Sequence, residues 1–400
     1  MIDSFLQAAP VLHHLESAGY EAYFVGGSVR DFLLKKPISD VDIATSATPE
    51  EMKQVFRKTV DVGIQHGTLL VLYKGNSYEV TTFRAESEYV DFRRPKEVVF
   101  IRSLLDDLQR RDFTMNAIAM DHKWNIIDPF NGQQALKEKL IQTVGSAEER
   151  FTEDALRMMR AVRFVSTLSF TIESVTLIAL KRHQNLLEKI AIERKRAEFE
   201  KLLAGLNRRN ALRLLLEVGI YKFLPGFENR EDVLTRLIEC ECEDLNINEM
   251  WLLIIYYLNA TEKQEIEAFL KEWKLPVKQI KEIIRLFFFL KKRLAKQWDT
   301  YELYSAGKEA IVSVEKLYEV VTETKPHKGM DHWLELYEAL PIKDRAQLKV
   351  TGTDLLSWFN QGGGPWVKEM IEKVELAIIM GEIKNEHLEI KEWLEKCNRK

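Results

Sequence analysis

Short apolar runs between turn-forming and charged residues dominate the first third of the chain and predict β-strands. The runs that fit a strand lie at residues 23–25, 68–73, 77–83, 97–100, 116–120 and 125–127. Two helices are predicted beside them, one over residues 2–19 that Gly19 ends, and one over residues 49–56 with Thr48 as N-cap. This part of the chain is therefore predicted to form a small domain centred on a β-sheet.

From about residue 134 onward, apolar positions recur at helical spacing almost to the C-terminus. Glycine and proline interrupt this pattern near Gly145 and at residues 205–210, 225–226 and 362–365. We therefore predict an α+β fold in which a small N-terminal sheet domain precedes an all-α array. The predicted boundaries divide the chain into residues 1–135, 136–205, 206–295 and 296–400.

Composition restricts the class of protein. Of the 400 residues, 46% are hydrophobic and 30% are charged, which is typical of a globular protein with several domains. No apolar run approaches the ~18 residues of a membrane span. Three cysteines without metal-ligand spacing predict reduced thiols in a cytoplasmic protein. The formal net charge of −4 argues against a generally basic nucleic-acid binder but permits a local basic surface.

One stretch near the N-terminus carries the most specific candidate chemistry. Gly26 and Gly27 follow a predicted strand and open a helix, an arrangement in which backbone N–H groups can approach an anion. Arg30, predicted in the first turn of that helix, can hold a phosphate oxygen. The next predicted strand begins with Asp40 and Asp42, whose i, i+2 spacing places both carboxylates on one face.

A pair of carboxylates on one face suits Mg²⁺, which takes one or two such ligands and completes its shell with substrate phosphates. Two such ions can activate an attacking hydroxyl and neutralise a leaving pyrophosphate. Glu79, on the predicted strand 77–83, is a candidate third carboxylate. Taken singly, Gly-Gly and Asp-x-Asp are common in ordinary turns, so the prediction rests on their order and separation.

The residues Arg110, Arg111 and Asp112 form a second candidate motif. Adjacent arginines beside an aspartate can fix each other's geometry while one of them reaches a triphosphate or a ribose. The alternative is a surface ion-pair cluster without a function.

A third motif is a set of charged residues that recur every three positions, which predicts a slowly winding polar ridge on one helix. Its members are Asp154, Arg157, Arg160 and Arg163. The alternative is a salt-bridged, exposed helix. Two basic clusters, residues 181–213 and residues 291–296, are candidate contacts for an RNA phosphate backbone.

In order and spacing, these motifs resemble those of the class II tRNA nucleotidyltransferases and bacterial poly(A) polymerases, the family of the CCA-adding enzymes. The resemblance is strongest from about residue 20 to 210 and weaker to about 390. It implies a polymerase-β-like nucleotidyltransferase head followed by a helical neck that selects the base, a body and a tRNA-binding tail. These parts correspond to residues 1–135, 136–205, 206–295 and 296–400.

The resemblance also implies roles for the candidate residues. Asp40 and Asp42 would bind two Mg²⁺ ions. The implied nucleotide-binding residues are Gly27, Arg30, Arg111, Asp154, Arg157, Arg160 and Arg163. The family's Glu-Asp-x-x-Arg motif matches Glu153, Asp154 and Arg157. Because aspartate accepts hydrogen bonds and arginine donates them, the pair can read the amino group and ring nitrogen that cytosine and adenine share.

The implied activity is template-independent addition of CCA to the 3′ end of tRNA from CTP and ATP, with release of pyrophosphate. The implied partners are the tRNA 3′ end and acceptor stem, with no membrane and with a homodimer left open. Asp91, Arg93 and Arg94 occupy a charged loop, residues 84–96, that in the family helps to switch from CTP to ATP. The alternatives are an A-adding enzyme, a poly(A) polymerase and a non-catalytic RNA-binding protein on the same fold.

Overall fold

The structure is a computed structural model that describes residues 2–38, 40–86, 89–90, 94–95, 98–324 and 329–397. The chain forms two compact units, the first made of residues 1–238 and 272–274, the second of residues 239–271 and 275–400. The finer division at residues 135, 205 and 295 stays a prediction. Among the described helices, none combines the length and the apolar character that a membrane span requires.

All the described strands lie in the first unit. They are β1 (Ala22–Val25), β2 (Asp42–Thr45), β3 (Thr59–Gly63), β4 (Thr68–Tyr73), β5 (Asn76–Thr82), β6 (Arg84–Glu86), β7 (Tyr89–Val90), β8 (Arg94–Pro95), β9 (Val98–Phe100), β10 (Ala119–Met120), β11 (Ile126–Ile127), β12 (Leu140–Ile141) and β13 (Thr171–Ile172). Seven of them form a mixed sheet in the order β11-β10-β1-β2-β5-β4-β3, in which β2 and β5 are parallel.

The first part of the chain also contains the helices that pack on this sheet and follow it. They are α1 (Ile2–Ser17), α2 (Gly26–Leu33), α3 (Pro49–Val55), α4 (Leu104–Gln109), α5 (Gly132–Glu138), α6 (Ala147–Glu153), α7 (Leu156–Leu168), α8 (Ser174–His183), α9 (Ile192–Leu203), α10 (Arg208–Glu217) and α11 (Glu231–Glu239). Helix α1 covers the sheet through the buried Phe5, whose ring centroid lies 4.7 Å from that of Phe24 in β1.

The second unit is helical throughout its described residues. Its helices are α12 (Ile247–Tyr257), α13 (Lys263–Glu272), α14 (Val277–Ala295), α15 (Thr300–Thr322), α16 (Met330–Glu338), α17 (Gly352–Phe359), α18 (Pro365–Ile379) and α19 (His387–Cys397). Leu355, Val374 and Ile390 meet in the core shared by the last three helices. The predicted α+β class, with a small N-terminal sheet and a helical remainder, is therefore confirmed.

Local signals placed several elements correctly. Thr48 caps α3 through a capping box with Glu51, as its sequence position predicts. The turn between β4 and β5 is made by Lys74 and Gly75, both with positive φ, because a two-residue hairpin turn of this hand needs that conformation.

One prediction about local structure is wrong, and several strands were not predicted. Residues 114–116 form a short 3₁₀ turn, and only Ala119–Met120 of the predicted strand 116–120 is extended. Strand β3 was not predicted, because it is an edge strand whose Val60 and Val62 face solvent and whose stability comes from pairing with β4. The region after residue 134 is not purely helical, since β12 and β13 form a small parallel pair.

Candidate active site

The junction between β1 and α2 brings backbone N–H groups to the edge of a cavity. Gly26 starts α2 with φ +69°, a conformation that glycine adopts at little cost. A Cβ at this position would lie 3.1 Å from Nη1 of Arg111 and 3.6 Å from Oδ2 of Asp42, so a side chain would also fill the space between these groups. Arg30 lies in the second turn of α2, not in the first as predicted.

Asp42 is the first residue of β2, and its neighbour in register across the parallel ladder is Glu79 of β5. Asp40 precedes the strand and is exposed. Within the described residues, no group donates a hydrogen bond to the carboxylate of Asp42. Burial, with added repulsion from Glu79, raises the pKa of Asp42, although Arg111 opposes the shift.

A carboxylate with no protein partner, beside further acids, has the donor chemistry of a divalent metal site. Asp40, Asp42 and Glu79 fit such a role by ligand type. In the part of the chain that the structure describes, however, they do not form a cluster whose ligand atoms all lie within 4.8 Å of one another. Asp42 is thus the carboxylate that the fold directs into the cavity, while Asp40 and Glu79 stand beside it.

The cavity itself has a volume of about 510 Å³ and is strongly cationic. Asp42, Asp107, Asp112 and Asp154 contribute its carboxylates, fewer than its guanidinium groups. The arginines that line it are Arg30, Arg84, Arg110, Arg111, Arg157, Arg160, Arg163 and Arg194. Gly27 also lines it, so every predicted site residue except Asp40 and Glu79 is at this cavity. Such an excess of guanidinium groups favours a polyanionic ligand such as a triphosphate.

The Arg110-Arg111-Asp112 motif is held by buried ion pairs, not exposed as a surface cluster. Both arginines bind the carboxylate of Asp107, at 2.7 Å and 3.0 Å. Burial alone would raise the pKa of Asp107, but Arg111 and Arg110 hold it below its ordinary value. Within the described residues Nε of Arg111 is buried without a hydrogen-bond partner, whereas its Nη1 lies beside Gly26 at the cavity.

Asp112 connects this motif to helix α7. Its Oδ2 accepts a hydrogen bond from Nε of Arg160 at 2.7 Å, and its Oδ1 accepts one from Nδ2 of Asn116 at 3.0 Å. Asn116 in turn accepts a hydrogen bond from Nη1 of Arg30 at 2.7 Å. Although burial acts to raise the pKa of Asp112, Arg160 and Asn116 hold it well below its usual range, so the carboxyl is ionised.

The predicted polar ridge on a single helix is wrong. Helix α6 ends at Glu153, Asp154 has extended φ and ψ, and α7 begins at Leu156. The reason is that Oδ1 of Asp154 accepts a hydrogen bond from the backbone N–H of Leu156, as helix-capping side chains do. Asp154 therefore lies in the junction between two helices. From this non-helical position its side chain reaches the cavity.

Asp154 and Arg157 each bind other side chains of the site. Nη2 of Arg194, in α9, binds Oδ2 of Asp154 at 2.7 Å. Arg157 is buried and donates to Oε2 of Glu153 at 2.6 Å and to the carbonyl oxygen of Arg110 at 2.9 Å. Both side chains line the cavity, so each can present hydrogen-bonding groups to a ligand there.

Three arginines of the cavity lie close to the aromatic ring of Phe164. The guanidinium carbon of Arg163 lies 3.9 Å from the ring centroid, and those of Arg30 and Arg160 lie at 5.3 Å and 5.7 Å. Nε of Arg163 is also 2.6 Å from Oε2 of Glu198, a contact between charges without hydrogen-bond alignment. Burial lowers the pKa of Arg163 to about 10, and Glu198 opposes the shift.

No site role was predicted for several residues of this cavity, namely Asp107, Asn116, Phe164, Arg194 and Glu198. Asp107 had a usable signal, since it precedes the two arginines at helical i, i+3 and i, i+4 spacing. Residues 193–198 resemble a family motif that closes the neck, but nothing local pairs Arg194 with Asp154, because the two meet across 40 residues of sequence.

The predicted basic RNA surface at residues 181–213 is wrong in part. Lys195 and Arg208 are buried, Arg194 faces the cavity, and Lys195 donates to the carbonyl oxygen of Phe223 at 2.7 Å. In the second basic cluster, Arg293 is buried against Glu315 at 2.6 Å. Of the charged loop 84–96, Asp91 and Arg93 lie outside the described residues, and only the backbone of Arg94 is described.

Models of known families cover most of the chain. A "Poly A polymerase head domain" matches residues 22–142, which include Gly26, Asp42 and Arg111. A "Probable RNA and SrmB- binding site of polymerase A" matches residues 169–230, and a tRNA nucleotidyltransferase domain 2 matches residues 245–394. The fold and the cavity thus define a nucleotidyltransferase of the poly(A) polymerase type.

The similar proteins narrow this class. The CCA-adding enzyme of Bacillus cereus (strain Q1) is 46% identical over 99% of this chain and 100% of its own length, and that of Bacillus anthracis is 46% identical over a similar span. The crystal structure of the Bacillus stearothermophilus CCA-adding enzyme in complex with CTP has a TM-score of 0.86 and 43% identity, covering 100% of this chain and 98% of its own. A tRNA nucleotidyltransferase complexed with a primer tRNA and an incoming ATP analog has a TM-score of 0.62 and 28% identity, covering 81% of this chain and 97% of its own. The chain belongs to the family of the CCA-adding enzymes.

Proposed function

We propose that this protein adds CCA to the 3′ end of tRNA from CTP and ATP, without a template and with release of pyrophosphate. The observation that carries this function is the cationic cavity, where the Asp42 carboxylate has no protein partner within the described residues and faces an excess of arginines. That combination suits a metal-bound nucleoside triphosphate. The similarity to CCA-adding enzymes over the whole chain supports the tRNA substrate.

Asp42, with Asp40 beside it, provides the carboxylates for divalent cations, which we propose to be Mg²⁺. When bound, these ions lower the pKa of the attacking ribose hydroxyl and neutralise charge on the leaving pyrophosphate. Glu79 keeps the site acidic from the neighbouring strand. The backbone at Gly27, together with Arg30 and Arg111, holds the triphosphate in line with the attacking hydroxyl.

Asp154 and Arg157 select the base. The Asp154 carboxylate accepts a hydrogen bond from the amino group of cytosine or adenine, and Arg157 donates to the adjacent ring nitrogen. UTP and GTP place a carbonyl oxygen opposite Asp154, which leaves buried polar groups unpaired at a cost of ~1–3 kcal/mol. Arg160 and Arg163 approach the phosphates or the ribose from α7.

A cavity of about 920 Å³ in the second unit is a candidate contact for the tRNA backbone. Its lining includes Lys278 and Lys281 of α14 and Lys308 and Lys316 of α15. For Lys278 and Lys281, no ion pair with an acidic side chain is formed among the described residues. A double substitution of these two lysines by Gln should weaken tRNA binding at low salt and reduce its salt dependence, because each removes a phosphate contact.

The activity is tested with tRNA transcripts that lack the whole CCA end, end after the first C, or end after the second C. Each is incubated with one labelled nucleoside triphosphate at a time. Addition of C to the first two and of A to the third supports CCA addition. Addition of A alone, and only to the transcript that already carries both cytidines, supports an A-adding enzyme instead. A long run of A on any RNA would indicate a poly(A) polymerase.

Base selection is tested with Asp154→Ala. If Asp154 rejects UTP through its carboxylate, the variant should incorporate UTP at a rate closer to that of CTP, with discrimination falling by roughly 5- to 100-fold. The parent protein and the thermal unfolding midpoint of the variant are the controls. Full rejection of UTP by a folded variant would contradict the assigned role.

A further inference from the structure

Two histidines and a glutamate meet on the first unit, away from the cavity. His13 and Glu16 lie one turn apart near the end of α1, and His122 lies in the turn between β10 and β11. Their ligand atoms all lie within 4.8 Å of one another, an arrangement that in the described part of the chain is found at this place alone.

The carboxylate of Glu16 is the centre of this cluster. Its Oε1 is 2.8 Å from Nδ1 of His122, and its Oε2 is 3.6 Å from Nδ1 of His13. The two imidazole rings are tilted by 54° with centroids 4.6 Å apart. Helical i, i+3 spacing brings His13 near Glu16, whereas His122 comes from a separate element, so an imidazole lies near each oxygen of one carboxylate.

The spacing fits a tetrahedral metal ion. With metal–ligand bonds of about 2.1 Å, adjacent ligands of a tetrahedral Zn²⁺ are separated by roughly 3.4 Å. The nitrogen–oxygen distances, 2.8 Å from His122 to Oε1 and 3.6 Å from His13 to Oε2, lie on either side of that value and involve the two different oxygens of Glu16. Two imidazoles and one carboxylate form a ligand set that Zn²⁺ accepts and that Mg²⁺ does not favour.

The ligands are held by rigid surroundings. Asp121 fixes the β10–β11 turn, since its Oδ1 accepts hydrogen bonds from the N–H groups of Lys123 and Asn125, both at 2.8 Å. Trp124 of the same turn stacks on Phe24 of β1 at 6.2 Å. The turn and α1 are therefore both fixed against the sheet, so the site needs little reorganisation to bind an ion.

The electrostatic environment is also favourable for a cation. Asp121 and Glu21 add negative charge near Glu16. All three carboxylates are close enough to Tyr23 to affect the pKa of its hydroxyl. Burial and then the charges of Glu21, Glu16 and Asp121 raise the pKa of the Tyr23 hydroxyl.

We propose that His13, Glu16 and His122 form a binding site for a divalent transition-metal ion of the Zn²⁺ type. The fourth position is open to water. The ion joins the last turns of α1 to the β10–β11 turn, and both elements flank β1, the strand that leads into Gly26. Its role is structural, because the cluster is not among the residues that line the cavity.

The test measures Zn²⁺ binding by calorimetry and thermal unfolding, on the full chain carrying Asp42→Asn so that this carboxylate does not contribute. His13→Gln and His122→Gln should each weaken Zn²⁺ binding at least about tenfold and abolish the rise in unfolding midpoint that Zn²⁺ causes. The matched control is His14→Gln, since His14 lies next to His13 on α1 but its Nδ1 is 2.6 Å from the carbonyl oxygen of Pro10.

Because the three cysteines are free and can also bind Zn²⁺, the difference between variants decides the result, not the stoichiometry. Unfolding midpoints without metal show whether the variants are folded. The proposal is overturned if the folded His122→Gln protein binds Zn²⁺ as tightly as its parent, if His14→Gln weakens binding equally, or if the parent binds no Zn²⁺.

Discussion

Two groups of charges in the cavity differ in how they are balanced. The Asp42 carboxylate has no hydrogen-bond donor among the described residues, and its nearest neighbour in register is another acid, Glu79. By contrast, Arg111, Arg160 and Arg194 each bind an aspartate at 3.0 Å or less.

This difference separates two ways of preparing a site. Paired arginines are held in place before a ligand arrives, so little side-chain entropy is lost on binding. An unpaired, half-buried carboxylate is unfavourable by itself, and a cation removes that cost. The protein therefore holds its anion-binding groups in a fixed arrangement, and under the proposed function a metal ion neutralises the negative charge of Asp42.

Asp42→Asn should have the largest effect on activity. Nucleotide transfer should fall at least about 100-fold, because the amide cannot replace the charged metal ligand. In the absence of divalent ions, the unfolding midpoint should stay the same or rise. An acid whose native pKa is raised costs stability once it is ionised, and the neutral amide removes that cost at neutral pH.

Incorporation of labelled CTP and thermal unfolding measure these two quantities on the same sample. Glu217→Gln, in an exposed ion pair with Lys181, serves as the control and should change neither. A marked fall in the Asp42→Asn unfolding midpoint would mean that Asp42 has a structural role, contrary to the comparison.

Asp112→Ala tests one of the arginine–aspartate ion pairs of the cavity. The substitution leaves Arg160 without its main partner, and the free energy of unfolding should fall by about 2–3 kcal/mol. We expect less than the ~3–5 kcal/mol of a fully buried pair because Arg160 is one-third exposed. Urea unfolding measures the change, and Glu217→Ala should cost no more than about 0.5 kcal/mol. Equal costs for the two variants would show that the cavity pair is no stronger than a surface pair.

Arg194→Gln should have a smaller effect, on specificity. Asp154 would lose both hydrogen bonds from Arg194 but keep its own carboxylate. Discrimination between CTP and UTP should therefore fall about 3- to 10-fold, less than in Asp154→Ala. The ratio of kcat/KM for CTP and UTP is the measurement. Lys201→Gln, exposed on the same helix, is the matched control and should leave the ratio unchanged.

The smallest expected effect is a dependence on pH. The native pKa of Asp112 lies below its unfolded value, so its ion pair stabilises the protein fully above about pH 4 and loses this contribution as the pH falls further. The difference in unfolding free energy between the parent and Asp112→Ala should therefore be constant from pH 7 to about 5 and shrink below about 4. A difference that grows on acidification would reverse the assigned sign.

The sequence alone predicted the fold class and most of the residues that line the cavity. Gly26-Gly27, Asp42 and Arg111 were found because each motif is local, and because their order and separation along the chain are specific although each motif alone is common. Thr48 was placed as an N-cap for the same reason. Such motifs depend on residues three or four positions apart, and a single sequence is most informative over that short separation.

Tertiary structure alone decided which charges meet across long stretches of sequence. Asp154 leaves the helix and binds Arg194, 40 residues away, and Lys195, predicted on a basic surface, is buried. These outcomes depend on contacts between segments distant in sequence, where burial strengthens an ion pair and makes an unpaired charge costly. Spacing fixes which charges lie near one another along a helix, whereas packing fixes which of them are removed from water and must find a partner.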